Sequence, residues 1–168
     1  MPEVRTPAIT VRTATQADLA DVVALRLALL REYRDNVIYG RLRPDAQERA
    51  ERLFSRQLGS PHEVIFLAHQ DLRTVGILRC LHSTASPLLY PAEYGYISSV
   101  YVIPALRRGG VLHLLFDEAV RWCRRRGLTE VRLHNAANNA TANATWDALG
   151  FDVVEVLRVK SLVPDTTA

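Results

Sequence analysis

The chain has 168 residues, of which 48% are hydrophobic and 23% charged, the composition of one ordinary globular domain. Its net charge of +3 comes from basic residues that are nearly all arginine and lie scattered along amphipathic segments, so we expect no nucleic-acid partner. The opening residues lack the apolar core of a signal peptide, and no apolar run is long enough to span a membrane. We therefore expect a cytoplasmic protein with no membrane partner.

The chain opens with the pattern of a strand followed by two helices. A short strand over 9–12 precedes Thr15 and Asp18, whose spacing is typical of a capping box at a helix start. A second helix is predicted to begin at Pro44 and to end before Gly59. Apolar residues recur at helical spacing in both helices, at Leu19, Val22, Val23, Leu27 and Leu30 in the first and at Ala46, Ala50, Leu53, Phe54 and Leu58 in the second.

The rest of the chain alternates between strand and helix patterns. Two β-branched runs separated by a polar stretch predict an antiparallel hairpin, and the three arginines and Gly127 after the longest helical pattern suit a helix C-terminus. The predicted elements are strands over 64–68, 74–81 and 96–103, a helix over 111–126 with Leu112, Leu115, Phe116, Ala119, Val120 and Cys123 inward, a strand over 130–134, a helix over 141–149, and a strand-like segment over 151–163.

This order, β-α-α-β-β-β-α-β-α-β(β), predicts one α+β domain over 1–168 that is built on a mixed sheet. Cys80 and Cys123 lie far apart in the sequence and have no CxxC spacing or nearby pair of histidines. We therefore predict no metal site and no disulfide, and interpret both cysteines as small buried apolar residues.

The segment over 96–115 carries the clearest chemical signal, because a strand runs through a proline and an Arg/Gly turn directly into a helix. The backbone N–H groups of such a turn and of the first helical turn have no intrahelical acceptor, and the helix dipole adds about half a positive charge there. Gly109 and Gly110 permit close backbone approach, and Arg107 and Arg108 supply charge. The layout predicts a phosphate-binding turn.

Two segments resemble the GNAT superfamily of N-acetyltransferases. Residues 107–112, Arg-Arg-Gly-Gly-Val-Leu, resemble its acetyl-coenzyme A loop, Gln/Arg-x-x-Gly-x-Gly/Ala, and match it at Arg107 and Gly110 with Leu112 at the Gly/Ala position. Residues 139–151 resemble the family segment Asn-x-x-Ala-x-x-x-Tyr-x-x-Leu-Gly-Phe, with Trp146 at the Tyr position. Taken singly, Asn139 reads as a helix cap and Trp146 as a core aromatic.

The resemblance implies a mostly antiparallel sheet flanked by helices, and acetyl-coenzyme A as co-substrate. It implies an N-acetyltransferase that acts on a primary amine of a small molecule, amino acid or peptide by direct attack in a ternary complex. It also allows a homodimer. The implied cofactor contacts are Val100, Tyr101, Val102, Arg107, Arg108, Gly109, Gly110, Val111, Leu112, His113, Asn139, Ala142 and Trp146.

The catalytic assignments are hypotheses. Glu93 is our first choice of base, with His82, Tyr94, Tyr96 and His134 as further candidates beside the expected cleft. An indole N–H has no useful acidity, so Trp146 packs against or hydrogen-bonds the sulfur, whereas water, the substrate ammonium or a phenol such as Tyr101 protonates the departing thiol.

The substitutions at Leu112 and Trp146 favour a competing hypothesis, a non-catalytic acyl-coenzyme A-binding sensor or degenerate transferase. Arginines at Arg41 and Arg43, in a loop that borders the acceptor, lean toward an acceptor carrying a carboxylate.

Overall fold

The computed structural model describes residues 8–163. The chain divides into two compact units, Met1–His134 and Asn135–Ala168. The larger unit contains the strands β1 (Ile9–Thr13), β2 (Glu63–Gln70), β3 (Arg73–Thr84), β4 (Glu93–Val102) and β5 (Val131–Leu133), and the helices α1 (Leu19–Glu32), α2 (Ala46–Gln57) and α3 (Val111–Arg125). The smaller unit contains α4 (Ala140–Ala148). None of these helices within residues 8–163 has the length and apolar character that a membrane span requires.

The five strands form one sheet in the order β1-β2-β3-β4-β5. Neighbouring strands are antiparallel except β4 and β5, which are parallel. The predicted mixed, mostly antiparallel sheet with flanking helices is confirmed. The parallel pair follows from the topology, because α3 lies between β4 and β5 in the chain and returns it to the same end of the sheet.

The start of α1 is held by a carboxylate. Asp18 Oδ2 accepts hydrogen bonds from the backbone N–H of Thr15 at 2.8 Å and from its hydroxyl at 3.0 Å. Arg12 donates to both Asp18 oxygens, at 2.8 and 2.7 Å. The pKa of Asp18 is lowered, chiefly by the hydrogen bond from Arg12. The capping pattern read from the sequence is therefore present, and it also ties β1 to the helix.

Each face of the sheet carries its own core. The α3-side core joins α3 to one face through residues such as Leu78, Cys80, Ile97 and Leu115. The α1/α2-side core joins the first two helices to the other face and includes Val22, Phe54, Ile65, Leu67, Ile77 and Tyr101. Because the sheet is covered on both faces by helices, its strands are rich in apolar residues at successive positions.

The two cysteines meet inside the α3-side core. Both are buried, and their Sγ atoms are 3.6 Å apart. Their predicted burial is confirmed. Gly95 lies against them, since an added Cβ at that position would be 2.5 Å from Cys123 Sγ. The glycine therefore provides the space in which α3 packs onto β4.

Two details of the sequence reading were wrong. Residues 151–163 form no strand, and residues 152–163 are exposed, with Val154 at 90%. Alternating apolar residues make a strand only where a neighbouring strand supplies backbone partners, and none pairs with this segment in the part of the chain that is described. Leu53, assigned to the apolar stripe of α2, is exposed, whereas Trp122 of α3 is buried without having been predicted so.

Candidate active site

The strands β4 and β5 separate part-way along the sheet. Their pairing ends where Ile97 lies opposite Leu133, the last residue of β5, while β4 continues to its end five residues later. Within the described residues, the stretch 98–102 therefore has no neighbouring strand on the β5 side. This stretch contains three of the predicted cofactor contacts, Val100, Tyr101 and Val102.

A β-bulge lies within residues 98–102, on the side of β4 that pairs with β3. The register with β3 steps from Ser98 to Tyr101 on β4 while β3 advances by only two residues, so β4 carries one extra residue. Ser99 has a φ of 54°, a left-handed conformation that is uncommon for a residue with a side chain. The bulge reverses the alternation: Ile97 lies in the α3-side core and Tyr101 in the α1/α2-side core. It also leaves Val100 out of register with both neighbouring strands.

The turn between β4 and α3 presents backbone donors. After a single 3-10 turn at Pro104–Leu106, Arg108 and Gly110 adopt left-handed conformations with φ of 64° and 80°. In the described part of the chain, five backbone N–H groups of this turn have no acceptor: those of Arg108, Gly110, Val111, Leu112 and His113. Successive unpaired donors at a helix N-terminus form an anion-binding concavity.

The space in front of this turn is open. An added Cβ at Gly110 would have no heavy atom within 4 Å. Leu112, the departure from the glycine or alanine of the motif, packs against the α3-side core. The turn therefore retains room for a phosphate group despite the larger residue, which fits a pyrophosphate ligand.

The two arginines of the turn differ in their surroundings. Arg107 donates from Nε to the carbonyl of Val102 at 2.8 Å, forms an ion pair with Glu32 of α1 at 2.6 Å, and lies over the Tyr101 ring. It ties the end of β4 to α1, and its charge is neutralised. Arg108 is exposed and forms no ion pair within residues 8–163. Arg108 is thus the arginine whose charge is available to an anion.

The smaller unit holds the second motif. Asn139 caps α4 by accepting the backbone N–H of Ala142 at 3.0 Å, which is the structural role that its position suggested. Trp146 is buried and packs edge-on against Phe151, with ring centroids 5.5 Å apart. A hydrogen bond from Asn135 Nδ2 to Asn143 Oδ1 at 2.6 Å braces the segment that precedes the helix.

The sequence model of the Acetyltransferase (GNAT) family matches residues 25–151, most of the chain. The chain belongs to the GNAT acetyltransferase family. It is accordingly an acyltransferase, and the resemblance read from the two motifs is confirmed.

Curated relatives of this GNAT chain include aminoglycoside N(6')-acetyltransferases. The protein from Acinetobacter haemolyticus is 24% identical over 151 residues, which cover 86% of this chain and 92% of the relative. GCN5-related N-acetyltransferase 6, chloroplastic, from Arabidopsis thaliana is 34% identical over 74 residues, which cover 44% of this chain and only 26% of that protein.

Solved structures share the GNAT fold. A predicted acetyltransferase with acetyl-coenzyme A from Clostridium acetobutylicum superposes with a TM-score of 0.75 at 20% identity, covering 91% of this chain and 96% of its own. Aminoglycoside 6'-N-acetyltransferase from Acinetobacter haemolyticus superposes with a TM-score of 0.73 at 23% identity, covering 93% and 99%. Because both sequences are less than 25% identical to this chain, these matches establish its fold alone.

The predicted catalytic residues of the GNAT domain lie in different surroundings. Glu93, at the start of β4, has a side chain 56% exposed and lies 3.2 Å from His82 Nε2. Tyr101 is buried, and burial, with the nearby Glu32, raises the pKa of its phenol. Glu93 is seven residues from Val100, which at about 3.3 Å per residue corresponds to about 23 Å along β4.

A tyrosine and a histidine lie closer to the separation of the strands. Tyr96 Oη and His134 Nδ1 are 2.7 Å apart, with their rings in tilted contact. Tyr96 directly precedes Ile97, the last residue of β4 that pairs with β5, and His134 directly follows β5. Burial raises the pKa of Tyr96, which keeps its phenol protonated and able to donate to the imidazole. The structure thus joins two of the residues that the sequence offered only as secondary candidates.

The sequence patterns assigned no role to two partly buried arginines, Arg26 and Arg79. Both lie inside apolar runs, Arg26 between Leu25 and Leu27 of α1 and Arg79 within the apolar run of β3. A charged residue at such a position is the signal that was available, because an arginine is rarely placed there without a partner.

Proposed function

We propose that this chain is an N-acetyltransferase that transfers the acetyl group of acetyl-coenzyme A to a primary amine of a small molecule by direct attack in a ternary complex. One observation carries the proposal: a row of unpaired backbone donors opens α3, and in the strand before it the last five residues lack a neighbour on one side within residues 8–163. A ligand that is both anionic and extended matches this combination.

The two ends of coenzyme A suit the two halves of this surface. The pyrophosphate would accept from the N–H groups of the turn, with Arg108 adding charge. The pantetheine amides would pair with the free edge of β4 over 98–102, as an added strand does. Two structures in the family hold acetyl-coenzyme A or coenzyme A, in an acetyltransferase from Clostridium acetobutylicum and in an aminoglycoside N-acetyltransferase.

The reaction requires no covalent enzyme intermediate. The amine nitrogen attacks the thioester carbonyl, the new C–N bond forms and the C–S bond breaks, and the thiolate leaves with a proton. The bulge at Ser99 turns the backbone near Val100 out of the ladder, where an N–H group can stabilise the oxyanion. Preorganised donors of this kind contribute about 3–4 kcal/mol in comparable sites.

The geometry favours His134 over Glu93 as the base that deprotonates the ammonium. The phenol of Tyr96 orients the imidazole of His134 by donating to Nδ1. In the neutral ring the proton is then on Nε2, and Nδ1 is the basic nitrogen. The proton of the ammonium would therefore reach Nδ1 through the phenol or through bound water. Glu93 lies further from Val100 along β4, and its carboxylate is directed at His82, with Oε1 3.2 Å from Nε2. Tyr101 is buried in the α1/α2-side core and its pKa is raised by burial, so protonation of the departing thiolate is left to water or to the substrate ammonium.

The test combines binding and turnover. We expect the thermal midpoint to rise with acetyl-coenzyme A concentration and thiol release to begin when an amine is added. His134→Gln should lower kcat by about 10²- to 10⁴-fold and leave the thermal stabilisation by acetyl-coenzyme A unchanged. Glu93→Gln should change kcat by less than about threefold. The reverse ranking would reinstate Glu93.

The competing hypothesis of a non-catalytic acyl-coenzyme A sensor rests on Trp146, which is a donor without useful acidity where the family motif has a phenol. Stabilisation by acetyl-coenzyme A without thiol release across a broad amine panel would establish it. No stabilisation at millimolar acetyl-coenzyme A would overturn the cofactor site itself.

A further inference from the structure

A largely buried ion pair lies beside the bulge of β4. Arg79 Nε of β3 donates to Glu63 Oε2 of β2 at 2.5 Å, and the two side chains are 16% and 12% exposed. Arg79 lies opposite Ile65 of the α1/α2-side core, and directly opposed residues of an antiparallel pair share a face of the sheet. The ion pair is therefore withdrawn from water on the face of the sheet that meets α1 and α2.

Arg79 also contacts the strand that carries the bulge. Its Nη1 donates to Ser98 Oγ at 3.4 Å, and Arg79 and Ser98 are directly opposed in the ladder between β3 and β4. The regular register ends at this pair and resumes where Ile77 lies opposite Tyr101. The guanidinium of Arg79 thus joins β2, β3 and β4 at the last regular position before the extra residue of β4.

The two ends of the bulge are held in different ways. At the far end, Tyr101 is buried in the α1/α2-side core. At the near end, Ser98 is half-buried and, within residues 8–163, has no neighbouring strand on the β5 side. Between them the ladder with β3 is interrupted, and Ser99 adopts a left-handed conformation that is unfavourable unless its surroundings enforce it. The contact with Arg79 therefore anchors the near end of the bulge through a side chain.

Stability alone does not account for a charged pair at this place. Withdrawing two charges from water is costly, and apolar residues of similar volume often replace a buried ion pair without loss of stability. Ile65 and Ile77, which belong to the core on the same face, are apolar and buried. What the guanidinium adds, and an apolar side chain would lack, is a directional donor aimed at the residue before the bulge.

We propose that Arg79, held in place by Glu63, is a positioning residue for the acetyl transfer. By fixing Ser98, it sets the backbone over 98–101 and hence the direction of the Val100 N–H group, which is proposed to stabilise the oxyanion. The inference rests on the proposed acetyltransferase function and adds a residue to it. The rate is sensitive to such positioning, because a displacement of about 1 Å costs on the order of 10²-fold.

The contact with Ser98 is tested by removing its acceptor. Ser98→Ala leaves the ion pair of Arg79 in place, and we expect kcat for thiol release to fall by about 10- to 100-fold. The KM for acetyl-coenzyme A and the Tm should stay close to those of the wild type. Ser83→Ala, at a half-buried serine of β3, is the matched control and should change none of these values. An unchanged kcat in Ser98→Ala would overturn the inference.

The ion pair is tested with a variant that removes both charges together. Glu63→Leu combined with Arg79→Met substitutes apolar side chains of similar volume, so the Tm should be nearly unchanged while kcat falls as far as in Ser98→Ala. Adding Ser98→Ala to this double variant should cause no further loss, because all three substitutions break the same contact. Arg79→Lys, which keeps a charged donor beside Glu63, should retain part of kcat. A folded double variant with the kcat of the wild type would overturn the inference.

Hydrogen exchange reports on the bulge without turnover. In Ser98→Ala, the backbone amides over 98–101 should exchange about tenfold faster, as expected for the loss of one hydrogen bond to a charged donor. Amides of β1 and β2 should keep the rates of the wild type. A uniform rise across the sheet would show that the contact only supports the fold, and would overturn the inference. Absence of thiol release by the wild type with any amine would instead contradict the proposed function.

Discussion

Replacing Gly110 by alanine tests the phosphate-binding turn most directly. Gly110 has φ 80° and ψ −1°, and its position would place a new Cβ in open space. The substitution therefore has no steric cost within the protein, and its effect on stability is that of a left-handed alanine, about 1–2 kcal/mol. For a chain of this length, each kcal/mol corresponds to a fall of about 2–4 °C in Tm.

The effect on cofactor binding should be larger than this backbone cost explains. The added methyl group occupies the approach to the row of unpaired N–H groups, so a pyrophosphate would lose at least one charge-assisted hydrogen bond. Such a bond contributes about 1.5–3 kcal/mol, which corresponds to a rise of about 10- to 100-fold in the KM for acetyl-coenzyme A.

Gly127, at the other end of α3, provides the matched control. Its φ is 71°, and an added Cβ there also meets nothing within 4 Å. Gly127→Ala should lower Tm by a similar amount and leave the KM for acetyl-coenzyme A unchanged in a steady-state thiol-release assay. If both variants raised that KM equally, or if Gly110→Ala left it unchanged, the assignment of the turn to phosphate binding would be refuted.

Three further predictions concern stability and thiol chemistry. Gly95→Ala should destabilise the fold by about 1–3 kcal/mol in chemical denaturation, since its Cβ would lie 2.5 Å from Cys123 Sγ, and adding Cys123→Ala should recover part of the loss. Asp18→Asn should cost about 1–3 kcal/mol at pH 7 through the lost pairing with Arg12. Because the folded pKa of Asp18 is lowered, its contribution is complete above the unfolded pKa of about 3.9 and is lost as the pH falls, so the two proteins should converge in stability below about pH 4; a constant difference would contradict this. The pKa of the Cys80 thiol is raised by its hydrogen bond with Cys123 and by burial, so a thiol reagent should label Cys80 only after unfolding, and rapid labelling of the native protein would be incompatible with that packing.

Local patterns determined most of the elements. The spacing of Thr15 and Asp18, the apolar stripe of α3 and the glycine after it each act over a few residues, and the structure has these features where the sequence indicated. The Arg/Gly turn is local in the same sense, because left-handed residues before a helix expose donors whatever the rest of the fold does. The turn and the family were therefore accessible from sequence.

Long-range packing decided the rest. The strand-like segment over 151–163 forms no strand, because a ladder needs a partner that no local pattern specifies. The end of β5 leaves one edge of β4 without a neighbour among the described residues where the cofactor is proposed to bind, and the bulge at Ser99 takes Val100 out of the ladder with β3; both depend on register. The ion pair of Glu63 with Arg79 is likewise a tertiary property, because it joins residues of two neighbouring strands. The sequence by itself determined which helices form and which turn is proposed to hold a phosphate, whereas strand register, set by contacts between residues distant in the chain, decided where β4 offers a free edge and a bulge to the proposed thioester.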